Sequence, residues 1–223
     1  MHTSDHPARR STAAALVITA LFVLTQLYSA IPLIGPVSTD LGRNATFALS
    51  TSFSLCYALG FLIWGPIADH YGRRTCLLIG MTLLTVATLS CAVPTSLGAL
   101  AVARCIQGIT AASFAPIALA YLSDSTPPAW RGTAIGAMST AFLVAGIFGQ
   151  VTAQAITERW GWHWVFGASA LVLFICAGAI AVLMRDRTTR APYSSLIDQF
   201  TRVGALLTTP TILLRTSPYY WSS

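Results

Sequence analysis

Long apolar runs separated by short polar breaks dominate the chain. Six of them reach the roughly 20 residues that a helix needs to cross a bilayer: 12–34, 47–68, 75–93, 97–122, 132–156 and 162–184. The breaks hold almost every charged residue, and Arg104 alone lies well inside a run. This pattern predicts six transmembrane helices. It also sets the domain limits: a short tail over 1–11, a helical region over 12–184, and a linker over 185–223. Within that linker 203–214 is apolar, but it is interrupted by Pro210 and too short to span. It reads as an incomplete seventh helix.

Composition narrows the class. Of the 223 residues 55% are hydrophobic and 9% are charged, against about a quarter charged in soluble domains. Mean hydropathy is +0.67. A soluble enzyme, a disordered chain and an ordinary nucleic-acid binder are excluded. The net charge of +6 is too thinly spread for a phosphate-binding patch. Orientation follows from the arginines. Arg9, Arg10, Arg73, Arg74, Arg131, Arg185, Arg187 and Arg190 flank one side, Arg43 and Arg159 the other. The first set is expected in the cytoplasm, with both termini. The first run is too long for a signal-peptide core and reads as a retained helix. Trp160, Trp162 and Trp164 suit an outer interfacial belt. Cys56, Cys76, Cys91, Cys105 and Cys176 read as apolar fillers, and His2, His6, His70 and His163 form no metal-ligand spacing. The Asn44-Ala45-Thr46 sequon sits in a short outer loop. Neither a catalytic motif nor a cofactor signature is present.

Polar residues recur inside the runs at helical spacing. Thr19, Gln26 and Ser29 share one face, Ser50, Ser54 and Tyr57 another, and Gln150 and Gln154 form an i,i+4 pair. An unpaired amide in hydrocarbon costs several kcal/mol, so these faces turn to protein or to a wet cavity. Gln26, Tyr28, Tyr57, Gln150 and Gln154 are candidate cavity-lining residues, with interhelical glue as the other reading. Arg104 lies about 10 Å from the outer end of its run at 1.5 Å per residue, and a central arginine costs about 2.5–3.5 kcal/mol on insertion scales. It is either a snorkelling side chain or a charge held in an aqueous pathway. Gln107 follows one turn later on the same face. Between the second and third runs, Gly65, Asp69, Gly72, Arg73 and Arg74 occupy a very short loop, where Gly72 permits a sharp turn. Asp124 and Arg131 lie on the same side as Arg73, which makes a salt-bridge cluster there an expectation.

The loop after the second run resembles the G-x-L-A-D-R-x-G-R-K signature of the major facilitator superfamily of secondary transporters. Gly65, Ala68, Asp69, Gly72 and Arg73 match it directly; Ile67, His70 and Arg74 stand for Leu, the first Arg and Lys. Arg104, Gln107 and Gly108 resemble the family's R-x-x-Q-G signature in the fourth helix. The stretch 26–32 is similar to the first helix of bacterial twelve-span exporters of sugars, drugs and metabolites, and the resemblance covers about 12–200. It implies an all-α membrane protein of six transmembrane helices as two inverted three-helix repeats, half of a major facilitator fold. It further implies alternating access for a small organic solute, coupled to protons, in a bacterial inner membrane. Asp69 would then face the start of a helix in the second half. Gly65, Asp69, Gly72, Arg73 and Arg74 would act as a conformational switch, and Arg73, Asp124 and Arg131 as an inner charge relay. Arg104 would serve proton coupling by tuning a carboxylate. These six runs hold no deep acid, so that carboxylate would lie elsewhere. One departure concerns the fifth run, which has Gly132, Gly136, Gly146 and Gly149 but lacks the Gly-Pro pair of drug–proton antiporters.

Full family members are about twice this long, and a truncated gene product is the expectation from length. A lone half leaves its cavity face on lipid. A separately encoded second half or a homodimer copy would cover that face. An inactive fragment or a partner-requiring half ranks ahead of an autonomous homodimer. A non-transporting anchor or interaction module is the competing class.

Overall fold

The computed structural model describes residues 6–42 and 44–184, with side chains from Ser11 onward. The expectations on Arg9, Arg10, Arg43, Arg185, Arg187, Arg190, His2, His6 and 203–214 lie outside the described residues or side chains. The described chain is helical, and no strand occurs among the described residues. Helices α1 (His6–Tyr28) and α2 (Ala30–Leu41) stack end to end. A π-helical turn (Phe47–Thr51) leads into α3 (Ser52–Tyr71), followed by α4 (Arg73–Ser90). Then α5 (Leu97–Ala111) continues into α6 (Phe114–Ser125), and α7 (Pro128–Trp160) and α8 (Trp162–Leu183) complete the bundle.

Five rods are long and apolar enough to cross a membrane: Ser11–Leu41, Phe47–Tyr71, Leu97–Ser125, Pro128–Trp160 and Trp162–Leu183. The sequence pattern predicts six. The difference is α4, whose 18 residues begin with Arg73 and Arg74. The first rod also runs on to Leu41 rather than stopping at 34, and α7 extends beyond 132–156 at both ends.

Sequence spacing explains the packing. Met138, Ala141, Ala145, Gly149 and Ala153 recur every three or four residues on α7 and are buried, so a ridge of mostly small side chains lies against α1. The most extensive helix–helix contact is α3 on α5. Two glycines permit it. A Cβ at Gly60 would stand 2.6 Å from Ala112 Cβ, and one at Gly108 would overlap the Phe53 carbonyl oxygen. At the same crossing, Trp64 Nε1 donates to the Ile109 carbonyl at 2.8 Å. Apolar burial drives insertion here, whereas close packing and hydrogen bonds hold helix to helix, because lipid tails are as apolar as leucine.

Two apolar clusters result. One, around Leu16, Phe53, Met81, Phe114 and Leu173, leads toward the end where Arg73 and Arg74 lie. The other, around Leu33, Leu49, Leu100, Trp162 and Phe166, leads toward the opposite end. There Trp160 and Trp164 are 62% and 63% exposed, as a belt requires, but Trp162 is buried. Its Nε1 donates to Asp40 Oδ2 at 2.8 Å, so it fastens α8 to α2 instead. Trp162→Phe keeps the ring and removes that bond. It is expected to lower stability by about 1 kcal/mol, measurable as a small fall in the thermal unfolding midpoint.

Candidate functional site

Between the two clusters lies a polar layer centred on Arg104. The first rod breaks at Ser29, and the second opens with the π turn, whose i→i+5 pattern replaces the ordinary ladder. Both interruptions offer backbone carbonyls to α5. Arg104 Nε donates to the Leu49 carbonyl at 2.8 Å, in the middle of the π turn. Its Nη1 and Nη2 both donate to the Gln26 carbonyl at 3.1 Å, three residues before the break. Nη1 also donates to Gln107 Oε1 at 2.7 Å. The guanidinium lies 4.3 Å from the Phe53 ring centroid and 5.8 Å from that of Phe166, close enough for a cation–π contribution. Carbonyl dipoles and ring faces thus solvate this cation, with no carboxylate in the set.

Gln107 extends the network. Its Nε2 donates to Thr88 Oγ1 at 2.9 Å and to Gln26 Oε1 at 3.2 Å. Its Oε1 also accepts from Cys91 Sγ at 3.4 Å. Thr88 in turn donates to the Leu84 carbonyl at 2.7 Å, and Gln26 Nε2 to the Phe22 carbonyl at 3.1 Å. Buried polar groups are thereby paired throughout, the condition under which such a layer rigidifies a bundle. The layer joins α1, the π turn, α3, α4, α5 and α8, and leaves α7 out.

The expected site therefore divides into parts. Arg104, Gln107 and Gln26 do come together, with Gly108 at the helix crossing one residue on. They are sealed, however: Arg104 and Gln107 are 0% exposed and Gln26 is 2%. Neither the snorkelling nor the aqueous-pathway reading of Arg104 describes this arrangement, because backbone carbonyls, Gln107 and ring faces take the place of water around the charge. Tyr28, Tyr57 and Gln150 are half-buried on a separate wall. Tyr57 stacks on Phe53 at 5.7 Å and meets Phe61 edge-on at 4.9 Å. A Cβ at Gly146 on α7 would lie 3.8 Å from the Tyr28 ring. The glutamines of α7 do not pair. Gln150 donates to the Gly146 carbonyl at 2.8 Å, whereas Gln154 is exposed and donates to Glu158 at 2.9 Å.

At the arginine end, Gly72 turns the chain with φ 91°, a conformation that favours glycine. Arg73 pairs with Asp124 and donates to the Ala120 carbonyl at 2.8 Å. Arg74 reaches α8, donating to the Met184 carbonyl at 2.6 Å and to that of Ala181 at 2.8 Å. Consecutive arginines at the start of α4 thus hold α6, through Ala120 and Asp124, and the last carbonyls of α8, where positive charge is favoured. Arg131 does not join Arg73 and Asp124, contrary to the expected relay. It is exposed on α7, and its side chain makes no hydrogen bond or ion pair with the described residues. Asp69 is exposed and equally unpaired among them, and Gly65 has open space around it.

Sequence reasoning missed Leu49, Phe53, Thr88 and Cys91 as members of the polar layer. Pro32 and Pro36, just beyond Ser29, were the available signal for an interrupted first rod. For the π turn the sequence carries no comparable mark.

Comparison with known proteins bears on these motifs. The Major Facilitator Superfamily profile matches residues 16–222. Multidrug resistance protein 3 of Bacillus subtilis is 31% identical over 133 residues, covering 59% of this chain and 26% of that protein. Multidrug export protein EmrB of Haemophilus influenzae is 31% identical over 175 residues, covering 77% of this chain and 33% of that protein. The described fold superposes with TM-score 0.72 on a bacterial homologue of the human lysosomal transporter Spinster, in an inward-facing, unoccupied conformation. That match has 20% identity and covers 85% of this chain and 46% of the other. The chain thus spans a quarter to a third of the length of these curated relatives, and just under half of that solved structure. The profile match over most of the chain shows the family: this chain is an integral membrane protein that belongs to the Major Facilitator Superfamily.

Proposed function

We propose that this chain is one six-helix half of a secondary active transporter that moves a small organic solute by alternating access. In this reading α4 is a further span, the third of six in chain order, and the six form two inverted three-helix repeats. Both termini lie in the cytoplasm, and the membrane is a bacterial inner membrane. A second six-helix half supplies the opposite wall. Export coupled to protons fits the multidrug names of the relatives.

The observation that carries the reading is the uncovered wall. Only 17% of the apolar window of α7 is buried inside the bundle, the least of the five rods. On this poorly covered side stand Tyr28, Tyr57 and Gln150, groups that a lipid-facing surface does not need. A solute between two such walls meets ring faces and an amide. The 65–74 loop acts as the switch: Asp69 faces the start of a helix in the second half, while Arg73 and Asp124 brace the hinge beside it. Arg104 contributes to coupling without carrying the proton. It holds the first and second rods in register and places a fixed positive charge that lowers the pKa of any carboxylate brought near.

Flux in proteoliposomes tests this. The chain is reconstituted alone and together with a covering half, under an imposed pH gradient, with a panel of fluorescent organic solutes. Solute movement above that of empty vesicles, lost when the gradient is collapsed, is the expected result. If no solute moves in either preparation, and Arg104→Ala leaves every cellular phenotype intact, the transporter reading is wrong.

A further inference from the structure

We propose that Cys56 and Cys105 form a two-point binding site for a neutral trivalent aryl arsenical, which bridges the two thiols across the α3–α5 crossing. The inference goes beyond the transporter reading and does not rest on it.

Cys76, Cys91 and Cys176 are buried, as apolar fillers should be. Cys56 on α3 and Cys105 on α5 are only half-buried, and they meet. Cys105 Sγ donates to the carbonyl of Ser52, one turn before Cys56 on the facing helix, at 3.7 Å. The two thiols are themselves hydrogen-bonded. Packing on both sides fixes their approach. One turn from Cys105, a Cβ at Gly108 would overlap the Phe53 carbonyl oxygen, and one turn from Cys56, a Cβ at Gly60 would stand 2.6 Å from Ala112 Cβ. The helices are therefore in backbone contact around the pair. A ligand that needs two sulfurs finds them already gathered, which removes an ordering cost from binding.

Chemistry selects the ligand class. Leu55, Leu59, Val102 and Ile106 beside the pair are all exposed, so it opens on an apolar surface within two membrane-crossing rods. A hydrated ion reaches such a place at high cost, whereas a neutral aryl compound dissolves in hydrocarbon. Zinc asks for four ligands, and no group of three or more His, Cys, Asp or Glu that could hold a metal ion occurs among the described residues. A linear two-coordinate ion such as Hg(II) sets its sulfurs on opposite sides and would force α3 and α5 apart. Pyramidal As(III) holds two sulfurs side by side. The step balances without an oxidant. An aryl-As(OH)2 meets two thiols; two As–O bonds break, two As–S bonds form, and each thiol proton leaves on a hydroxyl as water. Arsenic stays trivalent and neither sulfur is oxidised. Reactants and product are all neutral, so no bare charge is left in hydrocarbon. The product is a clip between α3 and α5 with its ring on the apolar surface.

The test uses phenylarsine oxide, which hydrates to phenyl-As(OH)2, on the full-length chain in lipid nanodiscs. Excess monothiol keeps the cysteines reduced and strips arsenic held by a single sulfur. Intact mass is expected to show one phenylarsenic per chain with two thiol hydrogens lost, and a small dithiol to remove it. Cys56→Ser and Cys105→Ser, each alone, are expected to weaken the apparent affinity about a hundredfold, because a second anchor no longer adds to the first. Replacing Cys76, Cys91 and Cys176 together by alanine is expected to leave uptake unchanged. A second measurement needs no substitution and so does not depend on a variant folding. In the parent chain the arsenical is expected to protect positions 56 and 105 together from N-ethylmaleimide, read by peptide mass. Absence of an adduct, an adduct that survives either serine substitution at parent affinity, or protection of one position without the other would overturn the proposal.

Discussion

Arg104→Met is expected to lower the stability of the folded bundle by about 3 kcal/mol or more, although it removes a charge from the membrane interior. The competing terms decide the sign. Withdrawing a central arginine recovers about 2.5–3.5 kcal/mol on insertion scales. Against that stand the four hydrogen bonds from its guanidinium. At the roughly 0.6 kcal/mol typical of bonds between membrane helices the two terms nearly cancel. These bonds are charge-assisted, however, and bonds to charged groups contribute about 1.5–3 kcal/mol each. Their loss also removes the guanidinium from the Leu49 carbonyl and leaves the Gln26 carbonyl with the Ser29 hydroxyl at 3.3 Å. The loss therefore outweighs the recovery. Methionine keeps the stem against Phe53, so the variant isolates hydrogen bonding from packing. Arg104→Lys should recover less than half, because one ammonium cannot reach carbonyls of both rods and Gln107 in the geometry of a planar fork. Thermal unfolding in detergent reads both variants. An Arg104→Met bundle as stable as the parent would show that the four bonds carry little.

A loss of at least similar size is expected at Gly108. An alanine Cβ there would run into the Phe53 carbonyl oxygen and crowd the Tyr57 backbone nitrogen at 3.1 Å. Backbone cannot rotate away as a side-chain tip can, so α3 and α5 must part. Overpacking of this kind costs about 1–3 kcal/mol, and more when backbone is struck. Separation also draws Leu49 from Arg104 and Ile109 from Trp64, which adds to it. Gly108→Leu is expected to abolish accumulation of folded protein, and Gly108→Ala to reduce it severely. Gly98, near the start of the same helix, has nothing within 4 Å of its Cβ position. Gly98→Ala should be neutral or stabilising by up to about 1 kcal/mol through helix propensity. Fluorescence-detected size exclusion on the three variants measures the contrast.

The sequence made some of this architecture legible and hid the rest, for physical reasons. Apolar run length exposed the rods, since crossing a bilayer leaves few other solutions. The i,i+3 spacing of Arg104 and Gln107 placed them on one face, and Gly72 marked a turn that its backbone dihedral requires. The partners of Arg104 were hidden because they are main-chain carbonyls of Leu49 and Gln26, which carry no residue signature. They lie in the π turn and just before the break at Ser29, features of backbone geometry rather than composition. Hence the same arginine reads as a wet charge in sequence and as a sealed cross-link in structure. Gln150 and Gln154 looked equivalent by spacing, but one found a carbonyl a turn back and the other a carboxylate a turn ahead. Arg131 shows the limit of counting charges on one side of a membrane: it shares an end with Asp124 without reaching it.

The central claim is that the polar residues of this half form two separate structures, a sealed layer around Arg104 and a wall at Tyr28, Tyr57 and Gln150 that meets water during turnover. Single cysteines at Tyr57, Gln150, Leu49 and Thr88, in a background with the native cysteines replaced, test it directly. In the assembled protein, a membrane-impermeant maleimide is expected to label positions 57 and 150 and to spare 49 and 88. Labelling at 49 or 88, or protection at 57 and 150 from both sides of the membrane, would contradict it.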